Sequence, residues 1–487
     1  MLYLKKRVNM STKLMKKAGM LFLLLLFFTI PSLSQVRTLT IDQAIETALQ
    51  NNQEAEIARM EVKKAQAQVD EAYGYALPSL DVTASFSHFL EKPMMSFPDF
   101  EAMLTNATYG VLAKEDLITD EVRDANMMDG GNILQSFAQT NNYEAKAQLT
   151  QILFNSAVLR GISASGIYLQ TSRIALSGKA AAIVTDVKKA FYAVLLTKEM
   201  LQITESSLKN FEDNLSNLSA LKEHGLVSEY DLLTAEVQLE NFRPRVLEAQ
   251  NGLDNAKNGL KMIMGVDQKE NIDVQGSLDY NQEDVPELQP LITQAMESNF
   301  DLQTLKSKRE VDEAMIDLDR AEYWPQLVGF ADYAFAGSSD NLDFMNYRQS
   351  MVGVSFSMNI FQGGRTQNKV QQKQIIVMQT DEQIMQLKEA IKMQLQEKLL
   401  QLEKIHTNIE AQNKNIQLAE KGYNIASVRF KEGTGTQLEL LNAELQLRTA
   451  RTNRLQSVYE YIVAKTELDK LLGNIDRKYI QTVNQSN

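Results

Sequence analysis

The chain repeats its own landmarks, and this repetition constrains the fold more than any single residue does. The recurring positions are, 247 residues apart, Ala48 and Ala295, Asn52 and Asn299, and Pro78 and Pro325, and, 208 residues apart, Gly225 and Gly433, Ala235 and Ala443, Glu236 and Glu444, and Gly265 and Gly473. Each half therefore predicts a long helix, short strands of alternating polarity, and a longer helical stretch that one turn interrupts.

The repeat predicts how the chain is divided. The predicted segments are a signal peptide (1–34), a first repeat (35–265), a linker (266–290), a second repeat (291–473) and a C-terminal tail (474–487). In the first repeat, a helix at 41–76 precedes strands at 79–89 and 143–154, which flank an insertion at 90–142. The second repeat has strands at 326–335 and 351–361 and no such insertion.

The N-terminal residues have the form of an export signal. Basic residues from Lys5 to Lys17 precede an apolar run from Met20 to Ile30, and small residues follow up to Ser34. A bilayer takes about 20 apolar residues to cross, so a cleaved signal is favoured over a membrane anchor.

Charge and composition exclude several classes of function. The whole chain has a net charge of −12, and near −18 without the predicted signal. Such a balance disfavours nucleic-acid binding, because phosphate neutralisation needs a basic face. The absence of cysteine excludes disulfides, thiol nucleophiles and cysteine-based metal sites.

The predicted strands alternate between an apolar and a polar face. In the segment 351–361, Val352, Val354 and Phe356 alternate with glycine or serine. Each segment has about 10–12 residues, near the 9–11 with which a tilted strand crosses a bilayer. A soluble β-sandwich is the alternative that the strand pattern leaves open.

The predicted helices favour strands that cross a membrane over strands of a soluble β-sandwich. Residues 157–221 and 364–430 contain no proline, and return helices are predicted at 229–264 and 437–472. A helix of about 65 residues spans roughly 100 Å, far more than a globular domain needs. Apolar residues between Ile384 and Ile409 step by three or four, as in a coiled coil.

The four predicted strands are too few to close a barrel. Several copies of the chain must therefore combine their strands into one symmetric tube.

Five short motifs carry a resemblance to a known family. They are Ala44–Asn52 (AIETALQNN), Pro78–Leu80, Gly225–Ser228, Ile360–Arg365 (IFQGGR) and Gly433–Thr436. By the order, spacing and duplication of these motifs, the chain resembles the TolC family of outer-membrane efflux proteins over essentially its whole mature length.

The resemblance implies a mostly helical protein with a membrane β-barrel, in which three copies contribute four strands each to one barrel and continue as a coiled-coil tunnel. It implies a channel in the outer membrane that extends into the periplasm and exports small molecules or polypeptides. The implied partners are two further copies, outer-membrane lipid, a periplasmic adaptor protein and an inner-membrane transporter. Because the transporter supplies the energy, we expect no catalytic site, no cofactor and no metal site.

The resemblance also points to the two turns as adaptor-docking tips. Their residues are Gly225, Leu226, Val227 and Ser228 in the first tip, and Gly433, Thr434, Gly435 and Thr436 in the second. It places Glu439, with Asp231 and Asn442, at a narrow periplasmic entrance, where three copies of a carboxylate would attract cations. The alternative role for Asp231 and Glu439 is helix capping, which is compatible with the first.

Some residues depart from the family pattern. Asn442 stands where some members have a second acid, and Gly435 and Phe430 stand where an arginine and a tyrosine latch the entrance. We therefore expect gating through other contacts. The insertion is expected outside the cell, with its methionines as packing residues rather than metal ligands.

Two other classes of protein are alternatives to a channel. One is an exported periplasmic adaptor, and the other is a structural coiled coil without a pore. Adaptors have a single helical hairpin, and neither class accounts for the paired blocks of proline followed by alternating strands.

Overall fold

The computed structural model describes residues 36–225, 227–283 and 285–485. The predicted signal peptide and Leu226 lie outside these residues. Two compact units are present, one formed by residues up to Gln66, Ile167–Glu310 and the chain from Val377 onward, and the other by Ala67–Gly166 and Val311–Ile376. Each unit takes pieces of both predicted repeats, whose boundaries stay a prediction.

The helices differ greatly in length. In the described part of the chain they are α1 (Ile41–Asn51), α2 (Gln53–Gly74), α3 (Phe100–Lys114), α4 (Asp120–Asn126), α5 (Ser156–Glu223), α6 (Glu229–Met264), α7 (Leu288–Ser298), α8 (Phe300–Arg320), α9 (Arg365–Lys431), α10 (Gln437–Leu471) and α11 (Arg477–Gln485). The two longest, α5 and α9, have 68 and 67 residues. None of the helices among these described residues combines the length and the apolar character needed to cross a membrane.

The strands are short by comparison. They are β1 (Arg37–Leu39), β2 (Ser79–His88), β3 (Met95–Pro98), β4 (Asn132–Gln135), β5 (Asn141–Asn155), β6 (Ile272–Val274), β7 (Gln326–Ser339) and β8 (Met345–Ser357). The four predicted strands correspond to β2, β5, β7 and β8. The predicted fold class, mostly helical with four strands of membrane type in each chain, is confirmed.

The predicted helix at 41–76 is interrupted at Asn52, and the interruption explains why this asparagine recurs. Asn52 has an extended backbone, donates from its amide to the Ile263 carbonyl at 2.8 Å and accepts from a backbone N–H at 2.8 Å. Its counterpart Asn299 is 4% exposed, donates to the Leu471 carbonyl at 3.0 Å and likewise accepts at 3.0 Å. Each asparagine thus caps the helix that follows it and holds the end of a return helix.

Two recurring glycines lie at the C-terminal ends of the return helices. Gly265 and Gly473 both have a φ of +68°, in the left-handed region. A Cβ atom on Gly265 would lie 2.7 Å from the carbonyl carbon of Asn51, and one on Gly473 would lie 2.8 Å from that of Ser298. Only glycine fits, because the backbone of the helix break approaches too closely for a side chain.

The predicted linker and tail both contain regular structure. In the linker, β6 pairs in parallel with β1, and Ile272 and Val274 are buried in a core that includes α1. In the tail, α11 buries Tyr479 in the same core, and the Tyr479 hydroxyl donates to Asp42.

The apolar residues of α9 that are spaced by three and four form a packing surface, as predicted. Its buried members are Ile384, Ile391, Leu395, Leu402, Ile405 and Ile409.

The larger sheet of the second unit has four antiparallel strands in the order β2-β5-β7-β8. Within the described residues, β2 and β8 each pair with a single neighbour, so each leaves one edge unpaired. One face of the sheet is apolar and open, with Val352 84% exposed and Val82 74% exposed. The other face carries polar groups, among them an Asp332 carboxylate oxygen that lies 4.0 Å from Lys146 Nζ.

The last strand is displaced from its predicted position at 351–361. β8 ends at Ser357 because its partner β7 begins at Gln326, directly after Pro325. It begins earlier than predicted because β7 continues to Ser339 and supplies partners as far as Met345. The expectation that Phe361 ends this strand is therefore wrong.

The insertion at 90–142 is folded. It contains α3, α4 and the antiparallel pair of β3 and β4, and hydrogen bonds to the β7–β8 turn hold both of its ends. The Asp340 carboxylate accepts from Lys92 Nζ at 2.5 Å and from the Thr140 hydroxyl and N–H at 2.8 Å. These bonds, that from Lys92 first, lower the pKa of Asp340 to about 2.

Candidate functional site

The first of the two tips is the turn that connects α5 to α6. Gly225 has a φ of +72° and donates to the Lys222 carbonyl at 2.8 Å, which ends α5. Ser228 caps α6 through its hydroxyl, which accepts from the Asp231 N–H at 3.1 Å, and the Asp231 carboxylate accepts from the Ser228 N–H at 3.3 Å. This capping box satisfies backbone donors at the start of the helix. Val227 is half-buried, and Leu226 lies outside the described residues.

The second turn, between α9 and α10, is tighter. Gly433 repeats the φ of +72°, and Thr434 and Gly435 both donate to the Arg429 carbonyl at 2.9 Å. A Cβ atom on Gly435 would lie 3.0 Å from Arg429 Cβ, which explains a glycine there. Thr436 caps α10 as Ser228 caps α6, with Glu439 in the role of Asp231.

An arginine that sequence reasoning missed changes the environment of Glu439. Arg429 Nη1 lies 3.4 Å from a Glu439 carboxylate oxygen, with both side chains about half exposed. An ion pair this exposed contributes less than about 1 kcal/mol to stability. It nevertheless places a positive charge beside the carboxylate. Asn442 is exposed one turn further along α10, on the same face of the helix.

The structure places the three predicted entrance residues in the first two turns of α6 and α10. Asp231 is held by Ser228, and Glu439 by Thr436 and Arg429, so each carboxylate is fixed within its own turn. The capping role of both acids is present in the structure. Their role at an entrance stays a prediction.

A polar cleft of about 670 Å³ lies beside the tips, between the ends of α5 and α9. The side chains that line it include Asn210, Asp213, Asn214, Asn217, His224, Tyr423, Ser427 and Phe430. Burial raises the pKa of the Tyr423 hydroxyl, and the carboxylates of Glu444 and Asp213 raise it further. The cleft thus brings together residues of both helical hairpins.

An ion pair within α10 contacts the first hairpin through its arginine. Glu444 is 6% exposed and lies 3.7 Å from Arg448, one turn along α10. The Arg448 guanidinium stacks 4.9 Å over the ring of Phe242 in α6, which contacts Phe211 in α5. The spacing of four between Glu444 and Arg448 is the sequence signal for this pair.

The histidines are separate. His88 bonds to Asn141 at 2.7 Å, His406 bonds to the hydroxyl of Tyr280, and His224 lines the cleft. Within the described residues, no group of three or more His, Cys, Asp or Glu side chains is arranged to hold a metal ion.

Comparison with known proteins identifies the family. The profile of the family described as "Outer membrane efflux protein" matches residues 121–266 and 291–474. The chain is 20% identical over 356 residues to outer membrane protein TolC of Salmonella enteritidis, covering 71% of this chain and 72% of the relative. It is 21% identical over 309 residues to cobalt-zinc-cadmium resistance protein CzcC of Cupriavidus metallidurans, covering 62% and 71%.

Solved structures share the fold. The CmeC outer membrane channel of Campylobacter jejuni has a TM-score of 0.69 at 16% identity, over 92% of this chain and 89% of that one. VceC of Vibrio cholerae has a TM-score of 0.65 at 16% identity, over 89% and 96%. The adaptor and the pore-less coiled coil are therefore set aside, and the chain, an outer-membrane protein, belongs to the outer membrane efflux protein family.

Proposed function

We propose that three copies of this chain join into one closed barrel, with β2 of each copy paired to β8 of the next. The observation that carries the proposal is a four-stranded sheet with two unpaired edges and one open apolar face. In lipid, every backbone N–H and C=O needs a partner, and an open edge has none. Three copies give twelve strands, enough to enclose a channel through the outer membrane.

Cysteine cross-linking tests both the pairing and the number of copies, because the chain has no cysteine of its own. Val82→Cys is combined in turn with Val352→Cys, Val354→Cys and Phe356→Cys, which lie on the same face of the sheet. Oxidation in membranes should give a covalent trimer for at least one combination, seen on a denaturing gel.

The control combines Val82→Cys with Ser355→Cys, which points to the opposite face of β8 and should not cross-link. Cross-linked products that stop at two chains, or a series of products larger than three chains, would contradict the trimer.

We further propose that the two tips dock on a periplasmic adaptor and receive cargo from an inner-membrane transporter. The tip residues Gly225, Ser228, Gly433 and Thr434 are exposed. Energy then comes from the transporter, and the chain itself acts as a passive conduit rather than an enzyme. Relatives of the chain are named for cobalt-zinc-cadmium resistance, alkaline protease secretion and toluene efflux. Small molecules or polypeptides are therefore the proposed cargo.

We also propose that Glu439, with Asp231 and Asn442, lies at the periplasmic end of the channel. Three copies of Glu439 around a symmetry axis would attract cations. The neighbouring Arg429 would reduce that attraction, because it places a positive charge 3.4 Å from the carboxylate.

Two substitutions should therefore shift cation block in opposite directions. In planar bilayers, Glu439→Gln should weaken block by Mg²⁺ from the periplasmic side roughly tenfold, which corresponds to about 1.4 kcal/mol. Arg429→Gln should strengthen the block, because it leaves the carboxylate unpaired.

Glu460→Gln makes the same charge change further along α10 and serves as the matched control. If Glu439→Gln and Glu460→Gln gave the same block as the unmodified channel, Glu439 would have no role at the entrance.

A further inference from the structure

Helix α3 of the insertion presents an apolar stripe to its surroundings. The stripe consists of Phe100, Met103, Leu104, Ala107 and Val111. Their spacing of three and four residues places them on one face of the helix. Leu104 is 70% exposed, and Val111 and Phe100 are 60% and 59% exposed.

The opposite face of α3 already packs against the rest of the insertion. Ala102 is fully buried, and the Asn106 side chain bonds to both the N–H and the carbonyl of Met128, at 2.8 and 2.9 Å. The stripe is therefore the face of α3 that the insertion itself leaves uncovered. A contiguous exposed apolar stripe marks an interaction surface.

We propose that this stripe packs against the insertion of a neighbouring copy of the chain, so that three insertions join into a cap on the outer side of the barrel. The proposal rests on the proposed trimer. The insertion starts directly after β2 ends at His88, and β2 carries the edge that joins the next copy. Asp340 fixes both ends of the insertion to its own sheet. In the proposed trimer, the stripe therefore lies near the contact between neighbouring copies.

Charge argues against lipid as the occupant. Residues 90–142 contain nine acidic and three basic side chains. An anionic lipid surface attracts basic segments, whereas this insertion carries a net negative charge. A second copy of the same apolar segment needs no opposite charge, and the polar residues around the stripe can form a rim that stays in water.

A photo-cross-linking side chain tests the contact in the full chain in its own membrane. p-Benzoylphenylalanine is introduced at Leu104, and in a matched variant at Glu121, which is exposed on α4. Illumination should give an adduct of two chains for the Leu104 variant only. Mass spectrometry should place the cross-linked peptide of the second chain within 90–142. Because both positions are exposed, neither change should unfold the insertion.

The cysteine combinations on β2 and β8 separate this proposal from the trimer. A covalent trimer through the strands, with no adduct at Leu104 or with lipid or another protein attached there, would overturn the cap and leave the trimer standing. An equal yield from Glu121 would also overturn it, because the contact would then not be specific to the stripe. Loss of both cross-links would refute the trimer and the cap together.

Discussion

Replacing Gly473 with alanine is expected to remove most of the folded protein from the outer membrane. The added Cβ atom would lie 2.8 Å from the carbonyl carbon of Ser298, at a φ of +68°. Because the obstacle is backbone rather than a flexible side chain, the helix break at Asn299 would have to move. We expect the free energy of unfolding to fall by about 4 kcal/mol or more, a loss that single substitutions reach only when they create a severe local conflict.

The measurements are the amount of assembled protein in membrane fractions and the thermal unfolding midpoint of the purified protein. Gly265→Ala should behave in the same way, because its surroundings repeat those of Gly473. Gly225→Ala is the matched control. It has a similar φ of +72° but nothing within 4 Å of the added atom, so only the left-handed strain of about 1–2 kcal/mol applies. Equal losses at Gly225 and Gly473 would contradict the steric explanation.

Replacing Asn299 with alanine is the second change with a large expected effect. It removes one hydrogen bond to the Leu471 carbonyl and one from the Leu302 N–H, in a place where the asparagine is 4% exposed. Both backbone groups would stay buried without a partner. Two such groups at about 1–3 kcal/mol each give an expected total loss of about 2–6 kcal/mol in the free energy of unfolding.

Asn52→Ala provides an internal comparison. Asn52 makes the same bonds from a half-buried position, so its loss should be smaller. Asn251→Ala, on the exposed side of α6, should leave the unfolding midpoint within experimental error. A larger loss at Asn52 than at Asn299 would show that burial does not set the size of the effect.

Much of the fold could be predicted because the long elements follow simple rules. The limits of α5 and α9 follow from the absence of proline and from glycines in the turns, and the capping boxes at Ser228 and Thr436 were readable from spacing. The recurrence of Asn52 and Gly265 was visible in the sequence. Its cause was not, because it lies in a contact between residues more than 200 positions apart.

The misplaced limits of β8 have a different origin. Its N-terminal half, from Met345 to Ser350, is mostly polar and carries Arg348, so alternation gave no signal there. The strand exists because β7 supplies hydrogen-bond partners, and a single-strand pattern does not contain that information. In the same way, the contact of Arg429 with Glu439 depends on a turn that folds ten residues back on themselves.

The two unpaired edges of the sheet also have a consequence for genetics. In a ring of three, each copy takes part in two of the three joints, so one copy with a faulty edge spoils the whole assembly. A cell that makes intact and edge-defective chains in equal amounts would keep only roughly one complete ring in eight. Alleles altered on β2 or β8 should therefore be dominant, whereas alleles that merely prevent the chain from folding should be recessive.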